Sequence, residues 1–113
     1  MHVLLIFIDG FGLGPNDPDR NPLVRYPMRF FQHIFGGPLT QDLSRCLCPR
    51  GCMVPTDAAL GVDGLPQSAT GQTALFTGIN APAKLGRHNQ AFPGPQLQKL
   101  LQQYGIMKQL RDK

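Results

Sequence analysis

Six consecutive apolar residues, "VLLIFI" at positions 3–8, end abruptly at Asp9–Gly10. No polar residue interrupts the run, so neither an amphipathic helix nor a strand with one wet face fits it. A strand buried on both faces does, and such strands belong to parallel sheets covered by helices. This run therefore sets the expected fold class as α/β. At six residues it is too short to span a bilayer, and it lacks the basic start and small-residue cleavage site of a secretory signal.

Downstream, "GFGLGPNDPDRNP" (10–22) is an irregular loop on its glycines and prolines. A short helix is predicted over about 28–35 and a short strand around 52–54. Residues 69–77 read as a short helix stopped by Gly78. In "GPQLQKLLQQYG", Leu97, Leu100, Leu101 and Tyr104 recur at helical spacing, with Pro95 at the start and Gly105 at the end. One long apolar strand and a fragment make a thin sheet for an α/β fold, and the expectation is that only part of the fold's core is present. An incomplete sheet edge would favour self-association.

The net charge is +4, but no basic block interleaves with aromatics, and the basic tail of Lys108, Arg111 and Lys113 reads as a solvated helix end. No nucleic-acid partner and no membrane partner are expected. Cys46, Cys48 and Cys52 crowd into "RCLCPRGC" without a fourth ligand at finger spacing; reduced thiols and a cytoplasmic location follow.

Two places invite chemistry. Asp9 stands where the first strand ends, the usual place for ligands in open α/β sheets. Its carboxylate suits a hard or borderline cation, and suits equally a cap on the following loop. Gly10, Gly12 and Gly14 after it suggest dinucleotide binding, but their spacing is G-x-G-x-G, and Pro15 and Pro18 obstruct the helix that would hold a pyrophosphate. The second place is "GLPQSATGQTALFTG" (64–78), where Ser68 falls at or beside a helix N-cap. A hydroxyl there is either a simple cap or a nucleophile favoured by the helix's positive end. With no histidine base nearby, a nucleophile would need a metal ion as activator.

"QSATGQTALFTG" resembles the nucleophile segment of the alkaline phosphatase superfamily, where the pattern is D-S-A-x-S-A-T-A-x-x-T-G. The cofactor-independent phosphoglycerate mutases of that superfamily have N-S-E-V-G-H and a glycine ten positions past the serine, a spacing that Ser68, Gly71 and Gly78 keep. Their chains open on an apolar strand ending in D-G-x-G, to which "LLIFIDGFG" is similar. The resemblance implies a three-layer parallel-sheet core of alkaline phosphatase type, here its N-terminal part over residues 1–113. It implies a phosphatase- or phosphomutase-type enzyme with two divalent ions, manganese or zinc, about 4 Å apart, touched by Asp9 and Ser68, and a small phosphorylated substrate. Gln67, Thr70 and His88 are the further substrate contacts it suggests. Thr70 or Thr73 would be the nucleophile if the register differs. Gln67 stands where phosphatases have aspartate, and the sulfatase pattern C/S-x-P-x-R is absent. The superfamily's later ligand patterns, D-x-x-x-H and D-H, do not occur in this chain, so little turnover is expected from it alone. A catalytically inactive remnant or binding module of the same fold is the alternative.

Overall fold

The computed structural model describes residues 3–43, 46–48 and 51–112. They fall into two compact units, divided between Thr56 and Asp57, and the architecture is mainly helical. The expected three-layer parallel sheet is not there. Among the described residues, the strands are one antiparallel hairpin, and the parallel pairing is a single bridge between Gly14 and Thr40.

Residues 3–8 correct the strand prediction. They adopt neither strand nor helix, and their side chains are open to solvent, from 44% at Phe7 to 83% at Val3 and Leu4. The reason is that a strand exists only through its neighbours. Its N–H and C=O groups need partners on both edges, and its two apolar faces need covering layers. No described strand lies beside this run, so its hydrophobicity has nothing to act on.

The loop that follows is irregular but tied down within the first unit. Asp17 receives N–H groups on its side chain and its carbonyl, from Asp19 (2.8 Å) and Asn21 (2.8 Å) respectively. Asn21 is buried; its amide donates to the Pro15 carbonyl (2.9 Å), and its oxygen caps helix α1 (Pro22–Arg25) by accepting from Leu23 N–H (3.0 Å). Helix α2 (Arg29–Phe35) fits the predicted 28–35 and ends at Gly36 in the left-handed region. Phe31 of α2 stacks on Phe35 and meets Phe30 edge-on, with Phe11 tilted against it. Strands β1 (Cys46–Cys48) and β2 (Gly51–Met53) pair with Leu47 opposite Cys52, so the short strand expected at 52–54 lies one residue earlier in a hairpin.

The second unit contains the two helices predicted over 69–77 and 95–104, with two more. Helix α3 (Ser68–Thr77) ends at Gly78, whose φ of 70° is the left-handed conformation that glycine adopts without strain. Helix α4 (Ala81–Leu85) was not expected. It is capped by Asn80, whose side-chain oxygen accepts from Ala83 N–H (3.1 Å). Helix α5 (Pro95–Tyr104) has its expected bounds, and helix α6 (Ile106–Arg111) restarts immediately after Gly105. Ala69, Ala81 and Leu97 form the buried centre, with Ala74, Leu85 and Leu100 packed on it. Small residues on α3 let α5 approach closely, and Leu97, 1% exposed, fills the contact. Burial of that one side chain is worth about 1.5–3 kcal/mol.

Candidate functional site

Ser68 is the first residue of α3 and is half-buried, while Gln67 holds the N-cap position without a side-chain capping bond. Pro66 disfavours helical backbone at Leu65 before it, and Gln67 after it is extended (φ −130°, ψ 150°), so the chain turns helical only at Ser68. A helix that starts this way leaves its first N–H groups in need of acceptors. The carbonyl of Asn89 supplies one, accepting from Ala69 N–H at 3.1 Å and Thr70 N–H at 3.3 Å.

Thr70 completes the junction. It is fully buried, its hydroxyl donates to the Gln67 carbonyl (3.2 Å), and the same oxygen accepts from Asn89 N–H (3.2 Å). Thr73 is 2% exposed, and its hydroxyl donates to the Ala69 carbonyl (2.6 Å). Both threonine hydroxyls are enclosed in backbone bonding, which leaves Ser68 as the more accessible hydroxyl in the first turn of α3. Thr70, suggested as a substrate contact, sits behind the helix start and holds the 88–90 segment against it.

His88 is half-buried, and its Nε2 lies 3.1 Å from the Val62 carbonyl. A carbonyl only accepts, so Nε2 carries the proton of that bond. The ring also lies against Gly64, whose φ of 107° is open to glycine and strained for other residues. His88 thus ties two loops together, as does Asn80, whose amide donates to the Leu60 carbonyl (2.8 Å).

Gln67, Arg87, His88, Asn89 and Gln90 line an open depression beside the start of α3. Arg87, Asn89 and Gln90 were missed by the sequence reading. They stand about twenty residues from Ser68 in the chain, and no local pattern announces that the 86–92 turn folds back onto the helix start. Gln67, Ser68, Thr70 and His88 are therefore brought into one neighbourhood of the second unit. Asp9, exposed in the turn that follows residues 3–8, belongs to the first unit. Among the described residues no three of His, Cys, Asp and Glu come together as a group that could hold a metal ion. The donors in hand do not fit a complete two-metal centre.

No protein-family model, curated protein or solved structure matches this chain. Among the described residues, no helix is long and apolar enough to cross a membrane.

Proposed function

We propose that this chain is the N-terminal part of a metal-dependent phosphoryl-transfer enzyme, of phosphatase or phosphomutase type, with Ser68 as its nucleophile. The observation that carries this reading is the position of Ser68: half-buried at the first residue of α3, and next in sequence to the Gln67 amide that lines the depression with Arg87. In the step proposed, the Ser68 oxygen forms a bond to phosphorus as the ester P–O bond breaks. The serine proton passes to solvent, and the departing alkoxide takes a proton from solvent. Water or a second hydroxyl then receives the phosphoryl group.

Asp9 and Ser68 are the donors that this sequence would offer to two divalent ions, manganese or zinc, and the other ligands would have to come from residues outside it. The substrate is a small phosphorylated molecule and the location cytoplasmic, with Cys52 a free thiol. Self-association through the exposed residues 3–8 belongs to the same proposal.

The test is trapping. A coding sequence that contains these residues and continues in frame with D-x-x-x-H and D-H should, with manganese or zinc and an aryl phosphate, yield phosphoserine at Ser68 by mass spectrometry. Ser68→Ala should lower turnover by several orders of magnitude. The 113-residue chain alone should bind either metal no tighter than millimolar; micromolar binding with turnover would refute its being only a part.

A second reading is a non-catalytic remnant or binding module. The Asn89 carbonyl favours it, because it occupies the Ala69 and Thr70 N–H groups that a phosphoryl oxygen at this helix end would otherwise use. Under this reading Ser68→Ala changes no activity in any context.

A further inference from the structure

Residues 3–8 bring a run of unmet backbone groups to the surface. Among the described residues, none of their N–H or C=O groups takes part in a hydrogen bond, and all six side chains are exposed. Each residue is branched or aromatic, and the run holds no charge, glycine or proline. Such a segment is an open edge on both sides, and nothing in it repels an identical segment.

Direction and register follow from charge and from the pleat. Parallel pairing in register sets Asp9 beside Asp9, two like charges in contact. Antiparallel pairing about a two-fold axis keeps them apart. Residues directly opposite each other in a pair point to the same face, so a two-fold pair must be centred on one residue facing itself. Centred on Ile6, the pair brings Asp9 opposite Val3 and puts a carboxylate into an apolar ladder. Centred on Leu5, it sets Val3 opposite Phe7 and Leu4 opposite Ile6, and Asp9 lies beyond the paired stretch.

Size decides between a closed pair and a growing fibre. The first unit begins directly after the run: Phe11, three residues past Ile8, already packs on Phe31 with ring centres 6.2 Å apart. A folded unit of that length is about 25 Å across. In a continuing antiparallel stack, units on one side would recur every ~10 Å, twice the strand spacing. They would collide, whereas two strands place one unit at each end.

We infer that residues 3–7 pair with the same residues of a second copy of this chain, as a two-fold antiparallel strand pair centred on Leu5. This deepens the self-association named above by giving its partner, direction and register. It rests on the exposed run and not on the chemistry at Ser68. Absence of phosphoserine would leave the pair standing, and a monomeric chain would leave the phosphoryl-transfer reading standing.

The experiment uses the 113-residue chain in two measurements. Sedimentation equilibrium should show monomer and dimer, with the dimer prominent by about 100 μM, since one short strand pair holds weakly. Neighbouring N–H groups alternate in direction, so either Leu4→Pro or Leu5→Pro removes a donor that faces the partner. One of the two should weaken dimerisation about tenfold or more, with an unchanged helical circular dichroism signal verifying the fold. The second measurement is disulfide capture under mild oxidation, with Cys46, Cys48 and Cys52 replaced by serine. Leu5→Cys should crosslink to itself, and Val3→Cys should crosslink to Phe7→Cys in a mixture but not to itself, because only opposed residues come within disulfide reach. A monomer at that concentration, open-ended growth, or proline variants that both dimerise like the parent would each overturn the pair. Rapid self-crosslinking of Val3→Cys would overturn it in favour of parallel strands, and failure of every crosslink would assign the dimer to another surface.

Discussion

Thr70 and Asn89, nineteen residues apart, hold each other through a reciprocal pair of hydrogen bonds. The Thr70 N–H donates to the Asn89 carbonyl at 3.3 Å, and the Asn89 N–H donates to the Thr70 hydroxyl at 3.2 Å. This pair, and not a side-chain cap, anchors the start of α3 to the segment that carries Arg87 and His88.

Thr70→Val keeps the shape of the side chain and removes its hydroxyl, which leaves the part-buried Asn89 N–H without its acceptor. The expected loss is about 1–3 kcal/mol in urea unfolding, with faster amide exchange at Asn89. Thr70→Ser keeps the hydroxyl and should lose less. Equal losses for the two variants would mean that the methyl group, rather than the hydrogen bond, is what matters.

Gly105 joins α5 to α6 with an ordinary φ of −58°, and its carbonyl accepts from Lys108 and Gln109 N–H. By entropy alone, alanine in its place would stabilise the chain. Packing reverses the sign, because a Cβ at this position would run into the Leu101 carbonyl oxygen of the backbone. Gly105→Ala should therefore destabilise by about 1–3 kcal/mol, seen as a lower thermal midpoint. A rise in the midpoint would contradict the clash.

Residues 3–8 combine strong strand-forming character, no charge and no proline, the composition that drives strand-to-strand association when exposed. Sedimentation of the purified chain should show dimers or larger species that increase with concentration. Ile6→Lys, which puts a charge at a residue now 72% exposed, should shift the distribution towards monomer. An unchanged distribution would assign any association to another surface.

The helices that the sequence made legible are those with local causes. Gly78 and Gly105 mark real ends, Pro95 a real start, and the Leu97–Leu100 spacing a real buried stripe, because capping and 3.6-residue periodicity act within a few residues of one another. Helix α4 had a usable signal, Asn80 with Pro82 two positions on, but its five residues are too few for periodicity to appear. Helix α6 was hidden because Gly105 reads as a stop, while the chain bends there and resumes.

What the sequence by itself determined was where α2, α3 and α5 begin and end, to within a residue, and that Ser68 lies at the start of one of them. Those outcomes depend on backbone preferences and hydrogen bonds between near neighbours. Tertiary structure alone decided that "VLLIFI" is not a strand, that Thr70 is enclosed, and that Arg87 and Asn89 come to lie beside the start of α3. Strand pairing and loop closure join residues far apart in the chain, and their free energy lies in contacts that no short stretch of sequence contains.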